Sequence, residues 1–289
     1  MAHRPASRFG LITKPNEPRA VTVSDSIARW ADAHGLALLV DRNIASPPLP
    51  ARNGTYEEIV NQSDVLIVLG GDGTMIMAAR LVAGRGTPVV GINLGWLGYL
   101  TEFAVEDAFT ALDRVAAGDY ELDARAMLDW ELIRDHEQVA FETVLNDIVV
   151  NRSAISRIIE IDCRIDGRLI TTYRGDGVIV ATPTGSTAYN LAAGGPIIYP
   201  DTGAISIAPI CPHTLTNRPI VLPDSVEITL QLMTREQEVM LTSDGQTGLP
   251  LKAGDSVNIE KSKKKFNMVK SRDRDYFQIL RDKLKWSGR

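Results

Sequence analysis

The stretch that decides the fold runs from Asp64 to Thr74 and reads DVLIVLGGDGT. The segment Asp64–Leu69 is almost continuously apolar, which predicts a strand buried on both faces of a parallel sheet. The glycine turn, Gly70–Thr74, follows at once, and Met75–Ala83 then has the pattern of a helix. A buried strand that passes through glycines into a helix is typical of ligand-binding α/β domains.

The residues on either side extend this alternation of strands and helices. Further strands are predicted at Phe9–Ile12, Leu36–Val40 and Pro88–Ile92. One predicted helix has its cap at Ser24 and ends at Gly35, and another spans Val105–Ala117 and stops at Gly118. Such alternation implies right-handed βαβ units and a doubly wound sheet.

After about residue 120 the hydrophobic period changes from that of helices to that of strands. Leu128, Trp130 and Leu132 alternate with polar residues, and Asp166-Gly167 is a two-residue hairpin signal. Further strands are predicted at Ile159–Ile165, Arg168–Tyr173, Val178–Ala181, Ile205–Ala208, Val226–Leu232, Val239–Thr242 and Ser256–Glu260. The basic run Lys261–Lys265 is interpreted as an exposed strand end or turn, and Tyr276–Trp286 as a helix.

These patterns predict an α/β protein in two parts. An N-terminal doubly wound nucleotide-binding domain is expected at residues 1–120, and a β-rich C-terminal domain at residues 121–269. A C-terminal helix is expected at about residues 270–289.

Composition narrows the class of protein further. The net charge of -5 over 289 residues argues against a nucleic-acid partner. Cys163 and Cys211 are far apart, which argues against a disulfide framework. The first fourteen residues lack the apolar core of a secretory signal, and apolar runs such as Val65–Leu69 are too short to span a bilayer. We therefore expect a cytoplasmic protein with no membrane partner.

The glycine turn has the composition of a phosphate site. Glycines let a backbone approach a phosphate closely, and a helix N-terminus offers free N–H groups. Asp72 would repel a phosphate unless it binds Mg²⁺ or takes a proton from a nucleophile. The alternative is a tight turn in which Asp72 is a local helix cap. The turn matches neither the P-loop nor the three-glycine dinucleotide fingerprint.

A second segment that resembles a binding site runs from Asp176 to Pro196. It contains the hydroxyl-rich run Thr182–Tyr189 (TPTGSTAY), whose donors suit a sugar or a phosphate. Tyr189 could stack on a base. The alternative is a hydroxyl-rich turn with a core tyrosine.

Together, Gly70–Thr74 and Asp176–Pro196 closely resemble the NAD kinase family. The resemblance includes further blocks in the family's order: Asn93–Leu100, Asn146-Asp147, His213–Pro219 and Asp244–Gln246. It covers roughly residues 64–246. The glycine turn alone is shared with lipid kinases and phosphofructokinases, whereas the long second block is far more specific.

The resemblance implies a fold and a reaction. The fold is an α/β nucleotide-binding domain followed by a β-rich domain, with the C-terminal segment packed back on the first domain. The reaction transfers the γ-phosphate of ATP to the 2′-hydroxyl of the adenosine ribose of NAD, with Mg²⁺ expected alongside ATP. The family is generally homo-oligomeric, so a homodimer or homotetramer is expected.

The resemblance also implies roles for single residues of the first domain and for the acid pair. Asp72 is expected to accept the proton of the ribose hydroxyl, or to orient that hydroxyl or the metal, and Gly73 to lie against the substrate. Asn146 and Asp147 match the pair that holds NAD. The usual pair is Asn-Glu, so the carboxylate here is one methylene shorter.

The remaining implied binding residues surround the second block. Arg157 and Arg174 match basic positions near the nucleotide, and Asp176 is expected to contact the nicotinamide half. Gln246 matches a ligand-contacting position. The dinucleotide is expected to be lined by Thr187, Ala188, Tyr189, Asn190, Leu191 and Ala192.

Two other functions compete with this hypothesis. A lipid or sphingoid kinase would share the glycine turn but not Asp176–Pro196, and it would favour an exposed membrane-facing segment. A non-catalytic dinucleotide-binding regulator would tolerate the loss of Asp72 or of the second block, and both are intact.

Overall fold

The computed structural model describes residues 3–41, 51–95, 98–153, 157–235 and 238–286. The chain divides into two compact units. The first unit comprises the described parts of Met1–Ala124 and Phe266–Arg289, and the second unit is Arg125–Lys265. The observed boundaries lie within a few residues of 120/121 and 269/270.

Both units are built from regular elements, numbered in chain order. The strands are β1 Arg8–Thr13, β2 Ala37–Asp41, β3 Arg52–Gly54, β4 Val65–Leu69, β5 Val89–Asn93, β6 Phe103–Ala104, β7 Leu122–Arg134, β8 Glu137–Val144, β9 Asp147–Arg152, β10 Ile159–Ile165, β11 Arg168–Gly175, β12 Gly177–Ala181, β13 Ala204–Ile210, β14 Ile220–Pro223, β15 Ile228–Leu232, β16 Val239–Ser243, β17 Thr247–Leu251 and β18 Ser256–Val269. The helices are α1 Pro18–Ala33, α2 Tyr56–Gln62, α3 Asp72–Val82, α4 Ala108–Ala116, α5 Tyr189–Ala192 and α6 Tyr276–Leu284.

The first unit contains a parallel sheet with helices on both faces. The strand order is β3-β2-β1-β4-β5, and the end of β18 pairs with β5 at Met268. On one face, Phe9 and Leu11 share a core with Ile27 of α1 and Leu112 of α4. On the other, Ile59 of α2 packs against Gly10, where a Cβ would lie 2.5 Å from Ile59 Cγ2. The predicted doubly wound sheet is confirmed.

The start of α1 corrects the sequence-based prediction. Ser24 was expected to cap this helix, but the helix begins at Pro18 and Ser24 is buried within it. Glu17 is the cap, and its side chain accepts the N–H of Arg19. Proline suits the first helical position because its fixed φ is already helical and the missing N–H costs nothing there. Gly35, at φ +66°, ends the helix as predicted.

Helix α3 also begins earlier than predicted, and α2 was missed. The carbonyl of Gly71 accepts the N–H groups of both Thr74 and Met75, so α3 starts at Asp72 rather than at Met75. Asp72 therefore lies in the first helical turn. Helix α2 carries a capping box between Thr55 and Glu58, which is a signal that the sequence does display.

The second unit is a sandwich of two antiparallel sheets. One has the order β11-β10-β15-β18, with β7 and β8 paired beside it. The other has the order β14-β13-β12-β9-β16-β17. Trp130 and Ile161 of the first sheet share one core with Val150, Val180 and Leu241 of the second. The predicted β-rich second half is confirmed.

Tight hairpins join several of these strands. Asp166 and Gly167 have positive φ, as the predicted two-residue turn requires. Positive φ also occurs at Asp135 and His136 between β7 and β8, and at Asp244 and Gly245 between β16 and β17. The hairpin of β7 and β8 was not predicted.

Two C-terminal predictions need correction. The run Lys261–Lys265 was expected to end a strand, but it lies inside β18, where Ser262 and Phe266 are buried and three of the lysines are exposed. The lysines mask the alternation that would have predicted the longer strand. Helix α6 ends at Leu284, so Trp286 lies beyond it. Among the described residues, no helix is long and apolar enough to cross a membrane.

Candidate functional site

The glycine turn lies at the carboxyl end of β4, where the chain enters α3. At Gly70 a Cβ would lie 2.8 Å from Thr74 Cβ, so the turn itself requires glycine there. At Gly71 and Gly73 a Cβ would meet nothing within 4 Å. The packing of the unit therefore requires only the first of these three glycines, and the space beside the other two is open to a ligand.

The Asp72 carboxylate is fixed by a distant loop. Its Oδ2 accepts the N–H of Tyr99 at 3.0 Å, and its Oδ1 accepts the N–H of Leu100 at 2.9 Å. Burial and the nearby charge of Asp72 raise the pKa of the Tyr99 phenol. The N-cap of α3 is Gly71, so Asp72 is not the local cap considered as the alternative. The bonds orient a carboxylate whose oxygens retain further lone pairs.

The loop that supplies these N–H groups is built on the end of β5. Asn93 Nδ2 donates to Thr101 Oγ1 at 2.9 Å, and Asn93 Oδ1 accepts the N–H of Gly95 at 2.7 Å. Thr101 Oγ1 also accepts the N–H of Gly98 at 2.9 Å. Each of these bonds involves a residue of the Asn93–Leu100 block of the family resemblance, of which Trp96 and Leu97 lie outside the described residues.

In the second unit a buried aspartate holds the Asn146-Asp147 pair. The Asp244 carboxylate accepts the N–H groups of Leu145 at 3.0 Å, Asn146 at 2.6 Å and Asp147 at 3.1 Å. Asp244 is 8% exposed. Two blocks that are far apart in sequence are therefore brought into contact.

The hydroxyl-rich loop after β12 is packed against the same pair. The N–H of Thr182 donates to the carbonyl of Asn146 at 2.9 Å, and Thr182 Oγ1 donates to the carbonyl of Leu145 at 2.6 Å. At Gly185 a Cβ would lie 2.7 Å from Asn146 Cα, so only glycine fits. The structure thus brings together the Asn146-Asp147, Asp176–Pro196 and Asp244–Gln246 blocks.

Asp147 lies in an environment that disfavours its charge. Burial, with the charge of Asp244 as the second cause, raises its pKa to about 7. A hydrogen bond from the backbone N–H of Tyr189 acts in the opposite direction. Near neutral pH the carboxyl therefore exists in both protonation states.

The predicted lining Thr187–Ala192 contains both exposed and buried residues. Tyr189 is 45% exposed, so the core-tyrosine alternative is wrong. Asn190 is fully buried. Its Nδ2 donates to the carbonyls of Ser186 and Pro196, both at 3.2 Å, and its Oδ1 accepts the Ser206 hydroxyl at 3.1 Å. The Asn190 side chain therefore stabilises the loop.

The other members of this lining are small or partly exposed. Thr187 Oγ1 donates to the carbonyl of Thr184 at 3.2 Å. Ala188 and Leu191 are half-buried, and Ala192 is exposed.

Two further predicted residues, Asp176 and Arg174, each form an ion pair. Arg152 Nε donates to Asp176 Oδ1 at 2.6 Å, and this bond raises the pKa of Arg152. Arg174 Nε lies 2.9 Å from Glu160 Oε1, directly across the β10–β11 pair. Arg152 was missed because its proximity to Asp176 depends on the pairing of β9 with β12.

Two predicted residues are exposed. Arg157 lies just before β10. Gln246 lies in the turn between β16 and β17, and its N–H donates to the carbonyl of Ser243 at 2.9 Å. Gln246 is therefore held next to Asp244, on the same turn that supports the Asn146-Asp147 pair.

Comparison with known proteins gives a family match in each of the two units. The ATP-NAD kinase N-terminal domain matches residues 9–120, and the ATP-NAD kinase C-terminal domain matches residues 145–271. The NAD kinase of Geotalea daltonii is 43% identical over 282 residues, which covers 98% of this chain and 99% of the relative. This chain belongs to the ATP-NAD kinase family.

Other relatives support this assignment. The NAD kinase of Geobacter sulfurreducens is 43% identical over 283 residues, covering 98% of this chain and 99% of that protein. The crystal structure of yeast NADH kinase complexed with NADH has a TM-score of 0.87 and 28% identity, covering 99% of this chain and 89% of that one. An NAD kinase from Archaeoglobus fulgidus in complex with ATP, at 24% identity and a TM-score of 0.74 over 96% of this chain and 98% of that one, shares the fold.

The family predicted from the motifs is therefore confirmed, and the chain is a kinase. Arg152, Asp244 and the Gly98–Leu100 loop are the residues that sequence reasoning left without a role. Asp244 and the loop were at least inside blocks that resemble the family, whereas Arg152 was outside all of them.

Proposed function

We propose that this chain transfers the γ-phosphoryl group of ATP to the 2′-hydroxyl of the adenosine ribose of NAD. The products are NADP, ADP and a proton. One observation carries the proposal: a member of the ATP-NAD kinase family has a carboxylate fixed by two N–H groups at the first turn of the helix that follows its central strand. That is where open α/β sheets bind ligands.

Asp72 would act on the acceptor hydroxyl. A ribose hydroxyl is a poor nucleophile at neutral pH, and a positioned carboxylate that takes its proton contributes ~10²–10⁴-fold. The two backbone bonds fix the direction of the carboxylate, so its free lone pairs are available to one substrate atom. Gly73 leaves open space beside it, which allows close approach of the substrate.

The second unit would hold the dinucleotide. Asn146 and Asp147 are proposed to bind ribose and base, Asp176 the nicotinamide half, and Gln246 a further polar group. The exposed ring of Tyr189 suits stacking on a base. Thr187, Ala188, Asn190, Leu191 and Ala192 would line the same ligand.

The two predicted arginines would offset phosphate charge. Arg157 is exposed. Arg174 is paired with Glu160, and a pair of this exposure is worth little in water, so a phosphate can compete for the guanidinium.

Magnesium is proposed as the companion of ATP. Among the described residues, no group of three or more His, Cys, Asp or Glu side chains could hold a metal ion. Mg²⁺ usually keeps several waters and binds through one or two carboxylates together with substrate phosphates. The ion would be held mainly by the phosphates of ATP, whose charge it would neutralise.

Two further proposals concern the cellular location and the subunit number of the protein. Because ATP and NAD are the substrates, we propose a cytoplasmic location. We also propose a homodimer or homotetramer, on the strength of the family resemblance. Sedimentation equilibrium on the purified chain would measure the subunit number directly, and a monomer at assay concentrations would reject this part.

The direct test supplies purified protein with Mg²⁺, ATP and NAD and measures NADP. Parallel reactions replace NAD with NADH, replace ATP with polyphosphate, or omit Mg²⁺. We expect NADP from ATP and NAD, and none without the metal. Failure to form NADP or NADPH, by protein shown to be folded and to bind NAD, would favour the non-catalytic regulator.

The lipid-kinase alternative has its own test. A sphingoid alcohol or diacylglycerol in place of NAD should give no phosphorylated product. Phosphorylation of the lipid at a rate comparable with that of NAD would reverse the assignment.

A further inference from the structure

The geometry points to a positioning role for the Gly98–Leu100 loop: it fixes the orientation of the Asp72 carboxylate and thereby sets turnover. We call the backbone N–H groups of Tyr99 and Leu100 the amide clamp. This inference rests on the proposed function, because it assumes that Asp72 acts on the acceptor hydroxyl.

The clamp controls both oxygens of one short side chain. Oδ1 and Oδ2 each accept one backbone N–H, at 2.9 and 3.0 Å. Two bonds to two oxygens fix the plane of a carboxylate, whereas one would leave it free to rotate. Asp72 itself is half-buried at the start of α3.

The clamp itself is held by Asn93 and Thr101. Thr101 is 1% exposed, and its hydroxyl accepts from both Asn93 Nδ2 and the N–H of Gly98, each at 2.9 Å. The Arg19 guanidinium donates to the carbonyl of Leu94 in the same loop. The clamp is therefore connected to the end of β5 and to α1.

Gly98 is the residue on which the clamp depends sterically. A Cβ at this position would lie 2.6 Å from Asp72 Cγ, 2.8 Å from Oδ2 and closer still to Oδ1. Each of these atoms belongs to the carboxylate end of Asp72 and none to the backbone. An alanine at position 98 would therefore displace the Asp72 carboxylate, which supplies the three atoms nearest to the added Cβ.

Gly95 provides a matched control in the same loop. Among the described residues, the one atom that a Cβ there would meet within 4 Å is Asn93 Oδ1, at the ordinary distance of 3.9 Å. Gly95→Ala therefore adds the same methyl group to the same loop without touching Asp72.

The first experiment compares wild type, Gly98→Ala and Gly95→Ala. We expect Gly98→Ala to lower kcat by roughly 10- to 100-fold, because ångström-scale misplacement of a reacting group can cost ~10²-fold. KM for NAD and ATP should change by less than about threefold, as for a loss confined to the transition state. Gly95→Ala should behave as wild type. A folded Gly98→Ala enzyme with wild-type kcat would overturn the inference.

A double-mutant cycle separates positioning from a structural defect. If Gly98 acts through Asp72, Gly98→Ala should change kcat by less than about twofold in an Asp72→Ala background. Residual turnover there should be measurable, since the lost base is worth ~10²–10⁴-fold and not the whole reaction. An equal fold-loss in both backgrounds would assign Gly98 a structural role and overturn the inference.

Thr101 supplies a second route if Gly98→Ala folds poorly. Thr101→Val keeps the shape and removes the hydroxyl that holds Gly98, whereas Thr101→Ser keeps the hydroxyl. We expect kcat to fall in Thr101→Val and to recover in Thr101→Ser, with KM for NAD unchanged in both. Equal activity of the two folded variants would overturn the inference.

Failure of the proposed function is distinguishable from failure of the clamp. Absence of NADP formation by wild type would remove the reaction itself. Active wild type, impaired Asp72→Ala and normal Gly98→Ala would retain the reaction and remove only the positioning role.

Discussion

Asp72 in the first unit and Asp244 in the second use the same device for opposite purposes. Each carboxylate accepts backbone N–H groups from a distant loop: two from Tyr99 and Leu100 at Asp72, and three from Leu145–Asp147 at Asp244. Asp72 is half-buried beside the open glycine turn, whereas Asp244 is nearly inaccessible. In the first unit the loop orients the acid, and in the second the acid orients the loop.

This difference in exposure suggests that Asp72 acts on substrate, whereas Asp244 stabilises the backbone conformation of a loop. Carboxylates accept several charge-assisted hydrogen bonds, each about twice as strong as a neutral one. At Asp72 two such bonds leave room for a substrate hydroxyl. At Asp244 three such bonds hold the backbone of Leu145–Asp147 in place.

The largest expected effect is that of Asp72→Asn on turnover. We expect kcat to fall by ~10²–10⁴-fold, because the amide cannot take the hydroxyl proton. NAD binding, measured by calorimetry, should remain largely intact. Near-normal turnover in this variant would reject Asp72 as an essential base and would remove the functional side of the comparison.

Asp244→Asn should act on stability and NAD binding instead. The variant replaces one accepting oxygen with an NH₂ group that faces a backbone N–H, and we expect a loss of about 1–3 kcal/mol in the free energy of unfolding. KM for NAD should rise with little change in kcat. Chemical denaturation and steady-state kinetics measure the two effects.

A matched control for Asp244→Asn is Asp166→Asn. Asp166 also has positive φ, is also followed by glycine, and accepts a single N–H, from Glu227, at an exposed turn. Asparagine tolerates this backbone conformation, so both changes isolate the carboxylate. Equal losses of stability in the two variants would contradict the special role of Asp244.

The sequence predicted one side of this comparison much better than the other. The run VLIVLGGDGT, from Val65 to Thr74, contains a buried strand, a glycine turn and a helix start next to each other, so local patterning suffices. The clamp joins Asp72 to residues 27 and 28 positions later, and Asp244 lies 97 to 99 positions from its partners. Periodicity carries no information about such contacts.

The missed elements have two kinds of physical cause. Helix α1 begins at Pro18, because proline is favoured at the first helical position, and Ser24 is buried inside the helix instead of capping it. Strand β18 runs through Lys261–Lys265 because strand pairing overrides the exposed lysines. Arg152 meets Asp176 only because β9 pairs with β12. Strand β18 and the Arg152–Asp176 pair depend on tertiary contacts, whereas the start of α1 is a local signal that the sequence does display.

The titration of Asp147 in the second unit should make the stability of the protein depend on pH. Its folded pKa is raised from 3.8 to about 7. The folded state therefore binds a proton more tightly than the unfolded state, and this contribution to stability is complete below the unfolded pKa and is lost as pH rises toward the folded pKa. Between about pH 4 and pH 7, wild type should lose about 3 kcal/mol that Asp147→Asn does not lose.

Chemical denaturation across that pH range measures this slope directly. In Asp244→Asn the slope should shrink, because the neighbouring negative charge is one of the two causes of the raised pKa. Asp162→Asn is a control that should retain the wild-type slope. Asp162 lies beside an arginine of its own strand, β10, in the sheet that does not contain Asp147. An unchanged slope in Asp147→Asn would show that Asp147 titrates as an ordinary surface carboxyl.

The smallest expected effect on stability is that of Gly73→Ala in the first unit, which we compare with Gly185→Ala in the second. Gly73 lies in the first turn of α3, where a Cβ would meet nothing within 4 Å, whereas at Gly185 it would lie 2.7 Å from Asn146 Cα. Alanine is favoured over glycine in a helix by about 0.5–1 kcal/mol, so Gly73→Ala should slightly raise the melting temperature. Gly185→Ala should lower it, because backbone atoms must move.

Activity should change in the opposite direction at Gly73. If the space beside it is filled by substrate, the added methyl group should raise KM or lower kcat several-fold in an enzyme that is more stable than wild type. Packing cannot explain such a combination, since the folded chain alone tolerates the methyl group. A Gly73→Ala enzyme that is both more stable and fully active would mean that the glycine turn serves only the local bend, and the open side of Asp72 would then need a different explanation.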